Sequence, residues 1–169
     1  MNAAHIHLIV NHFPIILPIM AILLLIWGMI AKSWDIQKSG LLLLILAGIA
    51  SFVAMQSGEG AEHIVRKMAG IDKNYIHDHE EWAEKFALLN YVNALLSIIA
   101  WWAFHNGRPF APMMRICILI ITLVGLWLGV ETGNSGGDIR HTEIRSGAIT
   151  PADGNMPGDV NKESGENED

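Results

Sequence analysis

FPIILPIMAILLLIWGMIA, residues 13–31, runs for nineteen positions without a charged side chain. A helix that crosses a bilayer core of about 30 Å needs close to ~20 apolar residues, and this stretch supplies them. Three further blocks of the same kind follow, Leu41–Gln56, Phe86–Phe104 and Met113–Val130. The second is short and reaches spanning length if its helix continues through SGEGAEHIV, residues 57–65. The chain has 169 residues, 51% hydrophobic and 17% charged, and its apolar residues collect in these four blocks. That distribution is the signature of an integral membrane protein.

The segments between the blocks set the topology. KSWDIQKSG (32–40) and HNGRPFAP (105–112) are short and turn-like, with Pro109 and Pro112 where helices stop or start. Short connections imply antiparallel neighbours, so the fold expected is an all-α, integral membrane, four-helix up-down bundle. Residues 1–145 form one transmembrane domain. Residues 146–169, rich in Gly, Asn, Pro and acids, hold too little apolar surface to fold alone and read as a disordered acidic C-terminal tail.

Lys32, Lys38, Arg108 and Arg115 flank the two short loops against one acid, Asp35. The positive-inside rule then puts those loops in the cytoplasm and both termini on the periplasmic side of a bacterial inner membrane. No Lys or Arg precedes the first block, so it is expected to stay as a span and not to be cleaved as a signal peptide. Trp27, Trp34, Trp101 and Trp102 gather near the short-loop end, as an aromatic belt does. Cys117 is the single cysteine and has no intramolecular disulfide partner.

Seven of the eight histidines fall at the other end, that of the termini. His5, His63 and His79 lie at similar distances beyond their blocks, on the order of 10 Å at about 1.5 Å per residue, and His141 joins them if the chain bends at GNSGG. A second layer, nearer the apolar core, consists of His12, Glu59, Glu84 and Glu131. His5 and His12 are seven apart and share a face, as do Glu59 and His63, four apart. His7, roughly 200° around the helix from His5 at about 100° per residue, is expected to face outward. On the third span Asn90, Asn93 and Ser97 form a polar stripe that should face the bundle interior, and His79 extends it while His77 does not. On the fourth, Gly125, Gly129, Gly133 and Gly137 recur at four-residue spacing, which suits close helix packing or a flat cofactor; Gly133, Gly136 and Gly137 equally suit a turn.

Several of these segments carry a resemblance. VNHFPI opening the first span, SGEGAEH closing the second, histidines opening the third and ETGNSGGDIRH closing the fourth resemble a widespread, uncharacterised family of small four-span bacterial membrane proteins. Its motifs are a His-Phe-Pro in the first span and a Thr-Gly-x-x-Gly-Gly after the fourth. His12, Phe13, Pro14, Thr132, Gly133, Gly136 and Gly137 match, and the resemblance covers residues 5–145. NSGGDIRH departs from the family's commoner apolar ending. Similarity to small haem-binding bundles makes a b-type cofactor what the resemblance implies.

Four-helix bundles hold haem between histidines of facing helices. The pairs to consider are His5 or His12 with His79, and His63 with His141, with Gly133 and Gly137 leaving room for the ring and Arg66, Arg140 or Arg145 meeting the propionates. The expected function is haem b electron transfer with a redox or membrane-protein partner, an electron carrier more than a substrate-transforming enzyme. The competing chemistry is a non-haem site for Fe, Mn, Cu or Zn built from His5, His12, Glu59, His63, His79, Glu131 and His141. Di-iron bundles use Glu-x-x-His, whereas the spacing here is Glu59-x-x-x-His63. A third class is a non-catalytic subunit that docks a partner through its polar outer end. The net charge of −6 disfavours nucleic acid.

Overall fold

Pro14 governs the first break in the chain. Proline has no N–H to offer the carbonyl four residues back, and its ring crowds that carbonyl, so the helical hydrogen-bond ladder is interrupted after Val10. The computed structural model, which describes residues 2–67 and 73–141, accordingly divides the first span into α1 (Ala3–Val10) and α2 (Phe13–Ile30), with a turn at Asn11 and His12. The other three spans are single helices, α3 (Trp34–Val65), α4 (Lys73–His105) and α5 (Ala111–Arg140).

Each span is long and apolar enough to cross a membrane, and the described residues contain no strand. The protein is an all-α bundle of four apolar spans. α3 does continue through residues 57–65, and it begins at Trp34, so most of the segment 32–40 is helix. Ser33 caps it by accepting from the Ile36 N–H. At both short-loop turns a residue with positive φ ends the preceding helix, Lys32 at 51° and Gly107 at 61°. Each sits beside a bond that closes the last turn, Ser33 N–H to Gly28 O at 2.9 Å and Arg108 N–H to Ala103 O at 2.9 Å.

The bend expected at GNSGG is absent. α5 runs through it to Arg140, and the Thr132 and Ser135 hydroxyls donate back to the Leu128 and Thr132 carbonyls, so these polar side chains are absorbed by their own helix. The tail 146–169, with Arg145, lies outside the described residues.

Around the bundle α2 packs on α3, α3 on α4 and α4 on α5, while α2 meets α5 over a shorter contact that closes the ring; α1 packs chiefly on α3. α2 and α4 are therefore diagonal, as are α3 and α5. Because lipid tails are as apolar as leucine, close backbone approach and polar bonds between helices hold such a ring together. Gly40 and Gly48 provide the approach: a Cβ at 40 would lie 2.8 Å from Leu25 Cγ, and one at 48 would lie 2.6 Å from the Cβ of Ala94.

The interior is layered. Near the short loops Ala21, Leu25, Leu41, Leu44, Ala100 and Ile118 form a buried apolar cluster. Beyond it the α4 stripe supplies polar bonds at mid-depth, Asn93 Nδ2 to Thr122 Oγ1 at 2.7 Å and Asn90 Nδ2 to Ser51 Oγ at 2.9 Å. Asn90 Nδ2 also lies 3.4 Å from the carbonyl of Pro14, across the bundle. Asn90, Asn93 and Ser97 are buried, as an inward-facing stripe requires.

Candidate cofactor site at the end of the termini

The α4 stripe ends in His79. Its imidazole is half-buried, with Nδ1 3.0 Å from the Thr132 carbonyl and 3.1 Å from Ser135 Oγ, both on α5. A carbonyl only accepts, so a bond to Thr132 assigns the proton to Nδ1. Gly136 makes room for this contact. A Cβ there would stand 3.0 Å from His79 Cε1, so the ring would have to give by a few tenths of an ångström to admit a side chain.

His7 repeats the arrangement on the other side of the bundle end. Its Nδ1 lies 3.0 Å from the Ala54 carbonyl and 3.4 Å from Ser57 Oγ, both on α3, and the residue is half-buried. Glycines again allow it. A Cβ at Gly58 would touch the His7 ring at 3.4 Å, and one at Gly60 would overlap the Cβ of Ala3, one turn before His7 on the same face of α1. The segment SGEGAEH thus works as a notch into which the Ala3–His7 face of α1 is laid.

His7 was expected to face outward, and this is corrected. The expectation took His12 to be inward, and His12 is exposed, as is His5 seven residues before it. Ala3, His7, Asn11, Pro14 and Pro18 follow one helical stripe toward the bundle, which the right-handed helical backbone at Asn11 and His12 carries through the turn. The signal that would have located His7 was its spacing of seven and eleven from Pro14 and Pro18, with the small residues at 58 and 60 to receive it.

The two imidazoles make the same kind of contact. Each has Nδ1 on a helix carbonyl, and among the described residues neither Nε2 has a hydrogen-bond partner. Histidines that ligate metals are held in this way, with the second ring nitrogen donating to a carbonyl or carboxylate.

The remaining expected site residues sit elsewhere. His5, His12, Glu59 and His63 are exposed, and His12 makes no side-chain capping bond at the start of α2. Glu131 is half-buried, Gly133 faces open space, and Gly137 lies within α5, where its carbonyl accepts from the backbone N–H of His141. His141 is exposed at the C-cap, and Arg140 is the last residue of α5. His79 and His7 lie half-buried at the same end of the bundle, whereas His5 and His12 are exposed there. His77 is exposed, 3.4 Å from Glu81, which also pairs with Lys85 at 3.2 Å. Among the described residues no group of three or more His, Cys, Asp or Glu side chains converges as a metal-binding set, so the mixed layer of His12, Glu59 and Glu131 is not drawn together.

Fold and site together define a class, an all-α bundle of four apolar spans with an inward pair of carbonyl-anchored histidines at one end. No family model, curated protein or solved structure matches the chain.

Proposed function

We propose that this protein is a membrane-embedded haem b electron-transfer protein of the bacterial inner membrane, with His7 and His79 as the axial ligands. The observation that carries the reading is the matched state of these two histidines, each with Nδ1 on a helix carbonyl and Nε2 free, on different helices at one end of the bundle. A porphyrin supplies four ligands of its own, so two imidazoles complete its iron, whereas a non-haem ion would need three or more protein groups. The donor set present therefore suits haem better than Fe, Cu or Zn alone. Bound haem would exchange single electrons, at a potential set by its axial ligands and burial.

The chain's own residues have defined parts in this. Thr132 and Ala54 orient the two rings through the Nδ1 bonds. Gly58 and Gly136 lie against the two imidazoles, and Gly136 leaves the His79 ring the closer fit. Lys32, Lys38, Arg108 and Arg115 favour a cytoplasmic short-loop end, which places the histidine pair at the periplasmic surface, within reach of a redox partner there.

The test is an absorption spectrum of the purified protein, oxidised and dithionite-reduced, after incubation with haemin. Sharp reduced bands of low-spin haem are expected, lost in His79→Ala and in His7→Ala and kept in His77→Ala and His105→Ala. A folded wild-type protein that takes up no haemin would end the proposal.

A further inference from the structure

Arg115, at the opposite end of the molecule, is a charged group without a counter-ion. It lies on the second turn of α5, two residues inside the apolar block that starts at Met113, and is half-buried. Its Nη1 donates to Gln37 Oε1 at 2.6 Å, on the diagonal helix α3. Gln37 is itself buried, and its Nε2 donates to the Gly28 and Ser33 carbonyls at 3.0 and 3.1 Å. Gly28 has to be small for this, because a Cβ there would lie 2.6 Å from Gln37 Cγ. The guanidinium carbon stands 5.6 Å from the centroid of the Phe104 ring on α4, which stacks on Trp34 at 4.3 Å. All four spans thus contribute to holding one cation in place.

No acid answers it. Asp35, the one acid at this end, pairs with Lys38 at 2.7 Å, and among the described residues no carboxylate lies within ion-pair distance of Arg115. Its Nε is buried and has no acceptor among the described residues. With Nη1 occupied by Gln37, the edge left over is that of Nε and Nη2, two parallel donors whose spacing matches two oxygens of one oxyanion. A fixed guanidinium at membrane depth costs several kcal/mol if left unpaired.

We infer that the Nε/Nη2 edge of Arg115 binds a phosphate oxyanion at the short-loop face. Phosphate fits better than a carboxylate because Arg115 stands near the end of an apolar span, the level at which lipid phosphates lie, beside Phe104 and Trp34, with the ammonium of Lys38 over the Trp34 ring. The same chemistry has two sources, the headgroup of an anionic phospholipid and free phosphate. The inference is independent of the histidine pair.

The test is native mass spectrometry and thermal denaturation of the full chain in neutral detergent. Phosphatidylglycerol, phosphatidylethanolamine or inorganic phosphate is added to wild type and to Arg115→Gln, Arg115→Lys and Arg108→Gln. Retention of phosphatidylglycerol by wild type, weakened about tenfold or more in both Arg115 variants but not in Arg108→Gln, supports a headgroup site. Stabilisation by inorganic phosphate alone, with the same dependence on Arg115, supports the site with a soluble anion as its occupant. Arg115→Lys keeps the charge and removes the fork, so it remains informative if Arg115→Gln fails to fold. Equal binding by wild type and folded Arg115→Lys for every probe would overturn the inference.

Discussion

One missing Cβ fixes the position of the His79 ring, and the glycines of α5 differ sharply in this respect. Gly133 faces open space, whereas a methyl at Gly136 would sit 3.0 Å from the imidazole. In an exposed helical position Gly→Ala gains up to about 1 kcal/mol from backbone entropy, while overpacking costs roughly 1–3 kcal/mol. Gly133→Ala should therefore raise the melting temperature, and Gly136→Ala should leave it unchanged or lower it while reducing bound haem. Thermal denaturation and pyridine-haemochrome content measure both, and a stabilising Gly136→Ala that keeps full haem would show that the ring does not depend on that notch. Lys32 offers a control far from the site. Its φ of 51° is a conformation that a glycine adopts without a Cβ penalty, so Lys32→Gly should stabilise the fold by about 0.5–1 kcal/mol in a denaturation curve with the histidine pair undisturbed.

Helix boundaries show what could be read from the sequence and what could not. The four spans were legible because apolar blocks near ~20 residues have no soluble alternative of comparable economy. The inward face of α4 was legible too, since Asn90, Asn93 and Ser97 are tolerable only away from lipid, and the same stripe gave His79. The inward face of α1 was missed because the count was anchored on His12, which is exposed, and the notch that seats α1 is on another span, some 50 residues on. Gly60 is the test of this account, since a Cβ there would overlap that of Ala3. Gly60→Leu should lift α1 off α3 and reduce bound haem, and an unchanged haem content would mean that the notch does not position His7.

For the whole molecule, the two ends have opposite characters. One end holds imidazoles anchored on carbonyls, the other a guanidinium held by a glutamine, and the apolar cluster of Leu25, Leu41, Leu44 and Ile118 lies between. The orientation proposed from the bases makes a direct prediction. A periplasm-active reporter fused after Asp169 should be active, and one inserted near Gln37 should be silent, with a cytoplasm-active reporter giving the reverse. The opposite pattern would move the histidine pair to the cytoplasmic face and reverse the side from which a redox partner approaches.

The packing of α1 chiefly on α3 also constrains how the protein is made. When the ribosome has delivered α1 and α2, the surface that receives Ala3 and His7 has not yet been synthesised, because Gly58 and Gly60 lie near the far end of the next span. The opening helix must wait at the bilayer surface until that span has been inserted. The first of the two histidines to leave the ribosome is then positioned only after the second hydrophobic segment has crossed, and His79 finds the α5 carbonyl only after the fourth. A nascent chain arrested before residue 65 should leave its first eleven residues open to protease, and a full-length chain should protect them.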